Sequence, residues 1–113
     1  MSAITTHVLD TARGRPAARI RVALEQRDAE EQWKPIAQGS TDADGRLRTL
    51  MPDGTEALPG TYRLVFDTRS YFEAQGSSAF YPEVIVTFSV SAEEHYHVPL
   101  LLSPFGYSTY RGS

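Results

Sequence analysis

His95-Tyr96-His97-Val98-Pro99-Leu100-Leu101-Leu102 is the stretch that decides the fold of this chain. Successive side chains of a strand point to opposite faces, so Tyr96, Val98, Leu100 and Leu102 share one face and His95, His97, Pro99 and Leu101 the other. The first face is large and apolar, as a core requires. The second mixes two histidines with apolar groups. Ile4 to Leu9 behaves in the same way: Ile4, Thr6 and Val8 face inward, leaving Thr5, His7 and Leu9 outside. All 3 histidines of the chain therefore fall on the outer faces of two strands. If those strands share a sheet, the outer face carries histidines beside Leu9, Pro99 and Leu101. A monomer does not ordinarily leave such a patch wet, so a subunit interface with the histidines in or beside it is expected.

Working outward, the rest of the chain reads as short β segments divided by Gly, Pro and Asp turns. Arg19 to Arg27 alternates cleanly, with Ile20, Val22 and Leu24 on one side and Arg19, Arg21 and Glu25 on the other. Trp33 to Gly39 is a strand in which Pro35 marks an edge or a bulge. Asp42-Ala43-Asp44-Gly45 is a turn leading to a short strand over Arg46 to Thr49. Met51 to Gly60 is a loop. Thr61 to Asp67 and Glu83 to Val90 are strands, with Tyr62, Leu64 and Phe66, then Val84, Val86, Phe88 and Val90, on their apolar faces. Tyr107 to Arg111 is the last strand, and Asp10 to Pro16 is a loop. One helix is expected over about 69–75, begun by Thr68 or Ser70 with a Ser70–Glu73 capping box and ended by Gly76. Seven or eight strands and one short helix define an all-β sandwich of two sheets.

The 113 residues suit a single domain, 1–113, and the 41% of hydrophobic residues suffice for one core. Without cysteine there is no disulfide, thiol nucleophile or cysteine zinc site. The net charge is -3, and the arginines never gather with aromatics into a basic stripe, so no nucleic-acid partner is expected. No apolar run approaches the ~20 residues of a membrane span. Met1-Ser2-Ala3-Ile4-Thr5-Thr6 lacks the regions of a signal peptide, so cytoplasmic residence is expected. No Gly-x-Ser-x-Gly elbow is present, which removes the usual serine hydrolase. Asp42-Ala43-Asp44-Gly45 opens like a calcium loop, but no acidic ladder or later glutamate follows, and a turn is the better reading. Glu30-Glu31 and Glu93-Glu94 read as solvated turns.

Two longer motifs resemble a known family. Thr6-His7-Val8-Leu9-Asp10-Thr11, with Gly14 and Pro16-Ala17 after it, is similar to the N-terminal signature of the 5-hydroxyisourate hydrolases, the transthyretin-related proteins. His95 to Pro104, followed by Phe105-Gly106-Tyr107-Ser108-Thr109, resembles their C-terminal signature. Tyr110-Arg111-Gly112-Ser113 is similar to the tetrapeptide that marks the enzymes, and Asp44-Gly45-Arg46 resembles the turn carrying the family's arginine. The resemblance spans the whole length. It implies two four-stranded sheets with one short helix, a homotetramer built as a dimer of dimers, and sites in the channel between dimers. It also implies hydrolysis of 5-hydroxyisourate to 2-oxo-4-hydroxy-4-carboxy-5-ureidoimidazoline, a step of urate (purine) degradation, without metal or cofactor. His95-x-His97 with His7 also offers three zinc-type ligands, but the pattern is short and common.

Such a reaction adds water to a ring carbonyl and breaks the adjacent C–N bond. Histidine suits the proton transfers because its ordinary pKa, about 6.5, lies near neutrality. Arginine stays charged and presents a planar fork to an oxo ring and its oxyanion. The expected catalytic residues are His97, which activates water, His7, Arg46 and Ser113, with the division between the two histidines open. Ser113 offers a hydroxyl and a terminal carboxylate. His7, Arg46, Tyr110, Arg111 and Gly112 are expected to bind substrate, with Tyr110 walling the pocket. His95 lies about 6.6 Å along the strand from His97 and is expected to support it or to face solvent. The alternatives are a non-enzymatic small-ligand carrier using the same channel, and a structural sandwich that pairs with other proteins.

Overall fold

The computed structural model describes residues 2–52, 54–91 and 95–113. Among the described residues nine strands and one helix follow in the order β1 (Ile4–Asp10), β2 (Arg15–Pro16), β3 (Arg21–Arg27), β4 (Trp33–Ser40), β5 (Arg46–Leu47), β6 (Gly60–Phe66), α1 (Thr68–Glu73), β7 (Val84–Val90), β8 (Tyr96–Leu102) and β9 (Tyr107–Thr109). One sheet runs β2-β1-β8-β9, with β5 also paired to β1, and the other runs β4-β3-β6-β7. The two-sheet sandwich is therefore as expected, but the first sheet has five strands rather than four. The added strand is β2, in the segment expected as a loop, where Leu9 faces Pro16 and Asp10 faces Arg15. Two residues are too few to show alternation.

The core lies between the sheets. Val22, Leu24, Tyr62, Leu64, Phe66, Val84 and Val86 of one sheet meet Ile4, Val8, Tyr96, Val98, Leu100 and Leu102 of the other, all buried. These are the positions that alternation assigns inward. β4 is an edge strand, and its pairing with β3 shifts between Leu24 and Glu25, where Ala37 and then Pro35 stand opposite. Proline has no N–H for the ladder, which confines it to such places.

The helix begins differently from the expectation. Its cap is Asp67, whose carboxylate accepts from the Ser70 N–H at 3.2 Å. Thr68 lies inside the helix, buried, and its hydroxyl donates to the Tyr81 carbonyl at 2.7 Å. The Ser70–Glu73 box is not formed, because the chain turns directly from β6 and puts Asp67 at the boundary. Gly76 ends the helix as expected, at φ 75°, with Ser77 N–H donating to the Phe72 carbonyl. Buried Asp10 ties the helix to the opposite sheet by accepting from the Tyr71 hydroxyl at 2.7 Å. Glu93-Glu94 lies outside the described residues. No described helix is long and apolar enough to cross a membrane.

β1 and β8 run side by side and parallel, from Ile4 opposite Tyr96 to Asp10 opposite Leu102. This pairing brings the two histidine-bearing strands together. On the outer face of that pair Thr5 and Pro99 are buried, and His7, Leu9, His97 and Leu101 are half-buried.

Candidate active site

Residues directly opposite in a ladder point to the same side. His7 stands opposite Pro99 on β8 and opposite Arg46 on β5. Thr5 stands opposite His97. β9 pairs Leu100 with Thr109 and Leu101 with Ser108, and a further bridge joins His97 to Gly112 in the same register. Counting along that register, Tyr110 falls opposite Pro99 and Arg111 opposite Val98. The outer face thus carries two rows across the sheet: Arg46, His7, Pro99 and Tyr110 in one, and Thr5, His97 and Gly112 in the next.

The Asp42–Gly45 turn delivers Arg46 to its place. Gly45 N–H donates to the Asp42 carbonyl at 2.9 Å, and the Asp42 carboxylate accepts from the N–H groups of Asp44 and Arg46 at 2.9 and 3.0 Å. The Arg46 N–H holds the Asp42 carboxyl below its ordinary range. Gly45 has φ 75°, and a Cβ there would meet the Val8 carbonyl oxygen at 2.4 Å. Only glycine allows the turn to press this closely on β1.

A cleft of about 280 Å³ opens on this face, lined by Thr5, Thr6, Arg46, Arg48, His95, His97 and Ser113. His7 stands beside Arg46 at its flank, and its Nε2–H donates to the Asp44 carbonyl at 3.0 Å. That bond leaves Nδ1 of a neutral His7 bare. Thr5 Oγ1 is hydrogen-bonded to His97 Nδ1 at 2.8 Å and to His95 Nε2 at 3.2 Å. His95 Nδ1–H donates to the Ser2 carbonyl at 3.0 Å. Gly112 N–H donates to the His97 carbonyl at 2.8 Å, and the Gly112 backbone packs against the edge of the His97 ring. Among the described residues nothing bonds to His97 Nε2.

The surroundings keep both catalytic candidates neutral. Burial, then the neighbouring His7, His95 and Arg46, push His97 below its ordinary pKa of 6.5. Burial and then Arg46 lower His7 likewise, against opposing effects of the Asp44 carbonyl, Asp42 and Asp44. Near neutral pH each imidazole keeps a lone pair for a proton.

The structure thus brings His97, Arg46 and Ser113 into one cleft, with His7 at its flank, Gly112 against His97 and Tyr110 in the row of His7. Arg111 is not brought there. It lies on the inner side of the sheet, with its guanidinium 4.6 Å from the centre of the Tyr96 ring, in a separate cavity that includes Val86 and Phe88 of β7. Tyr110 lines that cavity too and not the cleft, although its register puts it in the row of His7. Three cleft residues are missed by the sequence alone: Thr6, whose side chain faces the core and donates to the Val98 carbonyl, Arg48 and Thr5. Arg48 repeats the face of Arg46 by alternation, a usable signal. Thr5 faces outward by the same alternation, but nothing in a strand threonine announces that it bonds two histidines. Among the described residues, no three His, Cys, Asp or Glu side chains converge as metal ligands.

A two-sheet sandwich with β1 and β8 parallel, bearing a histidine–arginine cleft on the outer face of that pair, defines a transthyretin-type protein. The model of the HIUase/Transthyretin family matches residues 4–112, and the chain belongs to that family. A 5-hydroxyisourate hydrolase of Salmonella dublin is 48% identical over 97% of this chain and 80% of its own. One of Mus musculus is 46% identical, covering 99% of this chain and 96% of its own, and one of Caulobacter vibrioides is 47% identical over the full length of both. Sea bream transthyretin in complex with thyroxine superposes with a TM-score of 0.91 at 35% identity, covering 98% of this chain and 95% of that one.

Proposed function

We propose that this chain hydrolyses 5-hydroxyisourate to 2-oxo-4-hydroxy-4-carboxy-5-ureidoimidazoline, a step of urate degradation, at the outer-face cleft. The observation that carries the reading is a half-buried His97 with an unengaged Nε2 in one cleft with Arg46, where burial and neighbouring charge favour its neutral form. The names of the relatives, from bacteria to mouse, point to the same reaction. His97 Nε2 takes a proton from water as the water oxygen bonds to the ring carbonyl carbon. Arg46, joined by Arg48, faces the oxyanion that forms there. The C–N bond then breaks and its nitrogen takes up the proton that His97 Nε2 received, while the bare Nδ1 of His7 can accept a hydrogen bond from the water or the ring. Ser113 lies where its hydroxyl can orient the water or the His97 ring. Gly112 lets the chain end lie close over His97, and Tyr110, outside the cleft lining but in the row of His7, narrows the channel between assembled subunits.

The chain works as one domain over 1–113, in a homotetramer built as a dimer of dimers, and in the cytoplasm. Burying Leu101 and Tyr110 between subunits accounts for the apolar groups left accessible on the cleft face. No metal or cofactor takes part in the scheme.

The test is to make 5-hydroxyisourate in situ from labelled urate with urate oxidase and to follow it by carbon-13 NMR. The expected result is a new carboxylate carbon that grows faster with the protein than without it. Equal growth in both samples defeats the proposal and favours a carrier, which needs no proton chemistry.

A further inference from the structure

We propose that His95 and Thr5 are positioning residues: a hydrogen-bond chain from the Ser2 carbonyl through both of them fixes the tautomer of His97 and takes up its charge during turnover. The catalytic consequence rests on the hydrolase reading; the tautomer does not.

The direction of the chain follows from its anchored end. A carbonyl oxygen only accepts, so the bond to the Ser2 carbonyl requires hydrogen on His95 Nδ1. Neutral His95 then has a bare Nε2, which must accept from the Thr5 hydroxyl. Thr5 has one hydrogen, now committed, so its oxygen accepts from His97 Nδ1–H at 2.8 Å. A neutral His97 with hydrogen on Nδ1 has its lone pair on Nε2. The base is therefore set by a backbone carbonyl two side chains away. Thr5 is held firmly between the two rings, being 3% exposed and directly opposite His97 in the ladder.

The same chain balances the proton transfers. As water gives its proton to His97 Nε2, Nδ1–H passes to Thr5 Oγ1, and the Thr5 hydrogen passes to His95 Nε2. The charge then sits on His95, which is exposed, rather than on His97 between His7 and Arg46. His97 is left neutral with hydrogen on Nε2. When that hydrogen moves to the departing ring nitrogen, His95 returns its proton through Thr5 and the starting tautomers are restored. The charged and titratable groups around His97 are His7 from β1, Arg46 from β5, Arg48 just after it, the terminal carboxylate of Ser113 and His95 on its own side; among the described residues only His95 is joined to His97 through a hydrogen-bonded side chain.

The test combines long-range proton–nitrogen NMR of the imidazoles with kinetics of Thr5→Val, Thr5→Ser and His95→Phe. In the native protein His97 is expected to carry hydrogen on Nδ1. Thr5→Val and His95→Phe should shift it towards the Nε2–H form and lower kcat about tenfold, a fraction of what general-base catalysis contributes. KM should stay within about twofold, and Thr5→Ser should retain both tautomer and kcat. Nε2–H on His97 of the native protein overturns the proposal, as does Thr5→Val with unchanged tautomer and kcat. Should Thr5→Val fail to fold, His95→Phe, at an exposed position, decides in the same way. A native protein with the expected tautomer but no turnover would sink the hydrolase reading and leave the hydrogen-bond chain standing.

Discussion

Burial and neighbouring charge act on His97 and His7 in the same direction, and the pH response follows from the sign. Both imidazoles are held below their ordinary pKa of 6.5, so each takes up its proton at a lower pH than a free imidazole does. The acid limb of kcat/KM is therefore expected below 6.5, and a limb centred above that value would contradict the assignment. Stability runs with it. On acidification the unfolded chain takes up protons at these two positions before the folded chain does, so the contribution is full above 6.5 and is lost as pH falls below it. A lower urea midpoint at about pH 5.5 than at about pH 7.5 is expected. Asp28 and Asp42, whose carboxyls are lowered, respond only below their ordinary value of 3.8. Gly112 gives a sharper test. A Cβ there would meet the His97 ring at 2.7 Å and Pro99 at 3.2 Å. Gly112→Ala should cost about 10- to 100-fold in kcat/KM through misplacement, with little change in the urea midpoint. At this scale the polar groups were legible, since His7, Arg46, His97 and Ser113 can be picked out by residue type and resemblance. Thr5 could not be, because its role depends on a parallel register that no local pattern encodes. The side of Arg111 was equally hidden: it follows only once β9 is known to pair with β8.

Among the elements, those with one face in the core were legible and those without were not. β3, β6, β7 and β8 alternate because a one-residue slip would turn their apolar side chains to water. β2 has two residues and no such constraint, and the helix cap fell on Asp67 because the exit of β6 set the boundary. The turn before β5 is the element on which the site depends most. Gly45→Ala should cost about 1–2 kcal/mol for the left-handed backbone alone. The clash with the Val8 carbonyl adds to this and pushes Arg46 from β1. Urea denaturation should show the loss, and KM should rise, because in the proposed scheme Arg46 binds the substrate ring. An unchanged KM with lowered stability would show that Arg46 does not contact substrate in the ground state.

For the whole molecule, the cleft is shallow and its face is partly apolar, with Tyr110 57% exposed. Assembly into a tetramer across this face would deepen the cleft and cover those groups. Sedimentation should find four copies at micromolar concentration, and a monomer would remove the explanation for the outer face. Deleting Tyr110 to Ser113 should leave the tetramer but abolish turnover, since the deletion removes Ser113 and the Gly112 bond to His97. The measurement that bears most directly on the central claim is the decay of the ultraviolet absorbance of freshly made 5-hydroxyisourate, with a chelator present, for the native protein and His97→Ala against the spontaneous blank. Acceleration by the native protein that survives the chelator and disappears in His97→Ala is the expected result. Decay at the spontaneous rate with a folded native tetramer, or full acceleration by His97→Ala, would contradict it.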